Sequence, residues 1–338
     1  MKEISTYQAM ESEGILLNAN ESFTNLSLAI RKEIAEKMID MPFQRYPIDG
    51  SDSLISAYAS FSNKKKTQII AGNGSDEMLG LLIGLTMKEG KKLYTLHPDF
   101  SMYDYYCGMH GGKMVTYAMD PEKPFCVEQF IAKGKNEQVD MILFSNPNNP
   151  TGRVIAPSDL IKIVEAFPRI PVVIDEAYAD FDETTMLDYV DQYPHLFVTR
   201  TLSKAFALAG ARIGFLIGNE ATMQRVVPYK VPYNVNRMSE IAGCVVLSHQ
   251  EEINQNIAWI KQARDSLYQK IAALKKENIT IYPSKTNYLY GKSKDKEKLL
   301  SLLKKKNIVI RNYADDSFRI TIGDETANEM VYEIIKAL

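Results

Sequence analysis

From residue 68 to residue 217, short apolar runs alternate with stretches of helical length, and this alternation leaves the chain few architectures. A strand buried on both faces reads as an unbroken apolar run, and successive parallel strands need a crossover, usually a helix. Residues 68–71, 92–96, 140–144 and 171–174 read as such strands, with helices predicted over 76–88 and 158–167. The runs at 196–200 and 213–217 are joined by a stretch too short for a normal crossover. They are predicted to pair antiparallel inside an otherwise parallel sheet. Polar residues gather at the C-terminal ends of these strands, where open α/β sheets bind their ligands.

The last third of the chain changes character. A long helix is predicted over 251–276, then a strand (287–290), a helix (294–305), strands (308–311 and 318–322) and a closing helix (327–338). This pattern reads as a smaller α+β domain that also recruits the N-terminal segment. A length of 338 residues suggests two domains. The fold class read here is α/β, a large domain with a mixed, mostly parallel sheet flanked by helices, plus the smaller domain. The large domain is expected over 25–260, and the small one over 1–24 and 261–338.

Charge and cysteine usage exclude several function classes. A net charge of −2 supplies no global positive field for nucleic acid or an anionic membrane. The runs Lys64-Lys65-Lys66 and Lys304-Lys305-Lys306 read as solvated faces. Cys107, Cys126 and Cys244 form neither a disulfide framework nor a paired metal motif. His97, His110, His195 and His249 lack metal-ligand spacing, so no metal is expected. No apolar run approaches the ~20 residues of a membrane span, and the opening residues show no signal-type apolar region. These features point to the cytoplasm.

The chemistry gathers around Lys204. It follows a predicted buried strand, with Thr201, Ser203 and Arg212 close in sequence, while upstream strands lead into Asn149 and into Asp175 and Tyr178. Together they would supply an amine, a buried carboxylate, a phenol, an amide and an anion site. Pyridoxal 5′-phosphate (PLP) requires that set. Its aldehyde needs a lysine amine of lowered pKa, and its ring nitrogen needs a carboxylate to stay protonated. Its phosphate needs helix N-terminal amides, hydroxyls and an arginine.

Leu202-Ser203-Lys204 followed by Arg212, Asn146-Pro147 with Pro150-Thr151-Gly152, and Asp175-Glu176-Ala177-Tyr178 resemble the class I/II, fold-type-I PLP aminotransferases. More narrowly, the chain resembles the histidinol-phosphate aminotransferase family. The residues carrying that likeness are Leu17-Asn18-Ala19-Asn20-Glu21, Arg45-Tyr46-Pro47, Gly72 to Glu77, Pro232 to Asn236, and Arg319 to Gly323. The resemblance implies that Lys204 joins the cofactor as an imine and later shuttles the substrate proton. It implies that Asp175 pairs with the ring nitrogen while Tyr178 and Asn149 hold the phenolate oxygen. Ser75, Asp76, Ser203 and Arg212 would bind the phosphate, with Tyr46 reaching it from the partner subunit of a homodimer. Phe100 would stack on the ring. Arg319 would grip a carboxylate, with Arg311 and Asn20 also on the substrate side.

Several of these residues carry a plainer reading as well. The 72–75 segment can be a generic glycine turn, Asp175 a turn former, Phe100 a core aromatic and Arg311 a solvated cation. Relatives of nearly the same pattern act on aromatic amino acids or decarboxylate threonine phosphate. A non-catalytic module on the same fold is a third class, disfavoured because Lys204 is present. The stretch between Arg311 and Arg319 is short and acidic, through Asp315 and Asp316, which bears on how a phosphorylated substrate would sit there.

Overall fold

The computed structural model describes residues 13–47 and 51–338, so residues 1–12 of the expected small domain lie outside the described residues. A short strand, β1 (Ile15–Leu17), and two helices, α1 (Leu28–Ile39) and α2 (Asp52–Ser62), come first. The main sheet and its crossovers follow as β2 (Ile69–Asn73), α3 (Ser75–Thr86), β3 (Lys92–His97), α4 (Met102–Met109), β4 (Lys113–Ala118) and α5 (Val127–Glu137). They continue as β5 (Met141–Ser145), α6 (Pro157–Ala166), β6 (Val172–Asp175), β7 (Leu196–Thr201) and β8 (Ile213–Gly218).

The seven strands lie in the order β2-β8-β7-β6-β5-β3-β4. β8 is antiparallel to β2 and β7, and the other pairings are parallel. The short link after β7 has that consequence, as its length predicts. β5 to β8 are buried along their whole length, which is why they read as apolar runs. β4 sits at the sheet edge with none of its residues fully buried. An edge strand needs no such run, and the sequence reading names no strand there.

The chain then forms α7 (Glu220–Val226), α8 (Arg237–Ser248), α9 (Gln250–Ala273), β9 (Ile279–Tyr282) and β10 (Tyr288–Ser293). It ends with α10 (Lys296–Lys305), β11 (Ile308–Asn312), β12 (Ser317–Thr321) and α11 (Glu325–Ala337). The second sheet has the order β1-β11-β12-β10-β9, with β1 laid parallel on β11. Helix α9 stops earlier than its periodicity predicts. Lys275 turns the chain at φ 49, in the left-handed region. Helix α10 starts later than predicted because Ser293 Oγ accepts the Asp295 amide at 3.1 Å and forms a turn there. The edge strand β9, absent from the sequence reading, is only four residues long.

Candidate active site

The C-terminal ends of β2, β5, β6 and β7 converge on one place. Asp175 closes β6 and is 3% exposed. Thr199 Oγ1 donates to its Oδ1 at 2.9 Å and the Ala177 amide at 3.3 Å, while Tyr103 donates to Oδ2 at 2.8 Å. Burial outweighs these donors and pushes its carboxyl up to about 6. Lys204 lies just beyond β7, part-buried, with Nζ donating to the Ala19 carbonyl at 3.0 Å. Removal from water, then the Arg319 charge, brings its ammonium down to about 8. The Asp76 carboxylate acts on Asp175 and Lys204 alike, and it pairs with Arg212 at 2.9 Å.

An anion cradle sits beside the amine. Helix α3 begins at Ser75 behind Gly74, whose φ of 82 favours glycine. A Cβ on Gly74 would stand 2.6 Å from Arg212 Nη2, and one on Gly214 would stand 2.1 Å from the Ser75 nitrogen. The two glycines therefore let an arginine and a helix N-terminus close on the same space. Arg212 Nη1 also reaches Ser203 Oγ at 3.4 Å, and Thr201 Oγ1 donates to that hydroxyl at 2.9 Å. This is an anion site by charge, amides and hydroxyls together.

The second sheet contributes Arg319, 6% exposed. It donates to Asn149 Oδ1 and, at 2.8 Å, to the Asn18 carbonyl, while its buried Nε has no partner. Arg311 stands opposite Arg319 in the β11–β12 register. Asn20 donates to the Tyr178 phenol at 2.8 Å and accepts from Thr321 at 3.1 Å. Burial pushes that phenol up to about 12.

Phe100 is part-buried and edge-on to Tyr103, with ring centroids 5.6 Å apart. Tyr46 is not drawn in. It is 77% exposed and stacks on Tyr233 at 5.2 Å.

Sequence reasoning missed Tyr103, Thr199, Asn287 and Tyr288. Tyr103 lies one helical turn after Phe100, a spacing that could have flagged it. Thr199 meets Asp175 only through the β6–β7 register. Asn287 donates to the Asn20 carbonyl at 3.0 Å, and Tyr288 lies under the Arg319 guanidinium at 5.1 Å. Glu176 is also unassigned by sequence. With Asp180 it pairs with buried Arg200, at 2.7 and 3.2 Å, which braces the turn carrying Asp175 and Tyr178. Among the described residues, no group of three or more histidines, cysteines or acids could hold a metal ion. No described helix is long and apolar enough to cross a membrane.

The fold matches that of a Sinorhizobium meliloti histidinol-phosphate aminotransferase solved with PLP, at TM-score 0.86 and 22% identity over 96% of this chain and 91% of that one. A Porphyromonas gingivalis L-threonine-O-3-phosphate decarboxylase matches at TM-score 0.82 and 18% identity, over 96% and 98%. In sequence, a Clostridium kluyveri histidinol-phosphate aminotransferase is 37% identical over 94% of this chain and 91% of its own. One from Clostridium novyi is 34% identical over 99% and 96%. The model of the family described as aminotransferase class I and II matches residues 12–337.

The sheet order and the solved neighbours thus define the fold of the PLP fold-type-I class. Within that class, the chain belongs to the class I and II aminotransferases. Its cofactor is PLP. The residues fit that group, since Asp175 is a buried carboxylate awaiting a cation and the Gly74–Gly214 cradle is shaped for an anion.

A lowered Lys204 pKa has a measurable consequence. Only a neutral amine attacks an aldehyde, and a fall from 10.5 to about 8 raises the neutral fraction at neutral pH roughly 300-fold. Capture of PLP by the apoenzyme should accelerate as pH rises and level off above about 8. Stopped-flow absorbance against pH checks this. A rate still climbing through pH 10 would mean an ordinary lysine.

Proposed function

We propose that this chain is a histidinol-phosphate:2-oxoglutarate aminotransferase working by a ping-pong scheme. Glutamate would be the donor and imidazole-acetol phosphate the acceptor. The observation that carries the activity is the lowered amine of Lys204 at the same strand ends as Asp175. The two clostridial relatives bearing that activity in their names support the substrate.

When bound, PLP draws electron density from the amino-bearing carbon of the substrate. Lys204 would take the proton from that carbon and carry it to the cofactor. Asp175 keeps the ring nitrogen protonated. Tyr178 and Asn149 would hold the phenolate oxygen, and Phe100 would pack on the ring. The Ser75 and Asp76 amides, Ser203 and Arg212 bind the phosphate. Arg319 would take the glutamate carboxylate in one half-reaction and the histidinol-phosphate anion in the other. Its buried, unpartnered Nε suits an incoming oxyanion. Arg311 and Asn20 would complete the substrate side.

A homodimer belongs to the same reading, with Tyr46 serving the phosphate of the partner subunit. Ile39, Phe43, Tyr46, Tyr229, Val231 and Tyr233 are exposed and Tyr46 stacks on Tyr233, apolar surface of the kind a second copy would cover. Residues 25–260 would form the large PLP-binding domain and 1–24 with 261–338 the small one. In support, α9 gives Ile260 to the core of the main sheet and Leu267 to that of the second. The cytoplasm is the proposed location.

The test is a half-reaction screen on the PLP-loaded enzyme, followed by absorbance. Histidinol phosphate and glutamate should each convert the cofactor to its amine form, on the order of a hundredfold faster per molar than phenylalanine or tyrosine. Conversion by the aromatic amino acids alone, or carbon dioxide release from threonine phosphate, would overturn the assignment.

A further inference from the structure

The turn after β3 and the first turn of α4 bring the part-buried Asp99 and the buried phenol of Tyr103 to the buried Asp175 at the site. Tyr103 is 1% exposed and donates to Asp175 Oδ2 at 2.8 Å. On the other oxygen, Thr199 and the Ala177 amide donate. Asp99 bears on the same phenol. Its carboxylate accepts from the Phe100 amide at 2.8 Å, the Ser145 amide at 3.1 Å and Ser145 Oγ. The Ser145 hydroxyl also adjoins Tyr103.

A phenylalanine would fill the space of Tyr103 equally well, so it is the hydroxyl that needs a reason. A phenol has one proton to donate, and here it goes to Asp175. Burial, then the charges of Asp175 and Asp99, raises the phenol well above its ordinary range, so it remains a donor at every working pH. Each oxygen of an ionised carboxylate has two lone pairs. Tyr103 takes one on Oδ2 and leaves another for a ring N–H.

We infer that Tyr103 is a positioning residue that sets the basicity of Asp175 toward the ring nitrogen of PLP. The inference rests on the PLP reading above. Donation to the anion stabilises the charged form, opposing the burial that favours the neutral one. The other titratable groups bearing on Asp175 are Asp99 beside the phenol, Asp76 of α3 and Tyr178 beyond β6. Burial pushes Asp99 up to about 8, and the charge of Asp175 adds to that rise.

The experiment counts protons taken up as PLP binds the apoenzyme, by calorimetry in buffers of different ionisation enthalpy, from acid to mildly alkaline pH. The bound pair of ring nitrogen and Asp175 holds one proton. Below its own midpoint, apoenzyme Asp175 already carries that proton, so uptake steps up by one as pH passes upward through the midpoint. Tyr103→Phe should displace this step upward by about one pH unit, a tenfold rise in proton affinity. Replacing Tyr103 by the more acidic 3-fluorotyrosine, a stronger donor of nearly the same shape, should displace it downward. It also decides the matter should Tyr103→Phe fail to bind PLP. Asp175→Asn should abolish the step. If both Tyr103 replacements that bind PLP follow the wild-type curve while Asp175→Asn loses the step, the role of Tyr103 is refuted and the PLP reading stands. If Asp175→Asn keeps the step, the ring-acid reading itself fails and takes this inference with it.

Discussion

Lys204→Ala is expected to lower transamination turnover by about 10⁴-fold or more, the upper end of what a positioned proton carrier supplies. The loss is double. On the proposed reading, the amine that would hold the cofactor is gone, and so is the base that would move the proton between substrate and cofactor. Truncation to a methyl removes one part-buried amine and its single bond to the Ala19 carbonyl. The fold should therefore survive, with unchanged far-ultraviolet circular dichroism, while PLP becomes removable by dialysis. Turnover near the wild-type value would end the assignment of Lys204.

The second large effect falls on Asp175. Asp175→Ala should lower turnover by about 10²- to 10³-fold, the range seen when one preorganised charge-stabilising group is removed. Cofactor content should fall far less, because the proposed holds at Ser75, Arg212 and Lys204 would remain. Equal losses of turnover and cofactor would mean that Asp175 only supports the structure.

The apoenzyme bears a cost at this position. A carboxyl raised from 3.8 to about 6 by burial disfavours the charged state by roughly 3 kcal/mol. The sign follows from linkage: the penalty is absent below the unfolded pKa, grows through the interval, and is fully present above the folded one. A protonated ring nitrogen placed against the carboxylate offsets it, so the site is built for a cation that the chain itself does not supply.

Particular residues show how much was legible in the sequence. Strands β5 to β8 could be read as strands because residues buried on both faces must be apolar, and the antiparallel β7–β8 pair followed from loop length alone. Lys204, Asp175, Asn149 and Arg212 stood out through their places after predicted strands. Tyr46 was named as well, yet within one chain it meets Tyr233 and not the cradle. Edge strands β4 and β9 escaped notice because half-exposed strands leave weak patterns.

The sequence by itself determined which groups the chain can bring to its chemistry, and that they would emerge at the carboxyl ends of one sheet. Periodicity and loop length are local properties, and they survive in a linear string. Which of these groups meet is settled by packing in three dimensions. Thr199 and Tyr103 reach Asp175 through strand register and helix placement, and Arg319 reaches Asn149 from a separate sheet. Hydrogen bonds act over about 3 Å, and no local pattern records a distance between residues far apart along the chain.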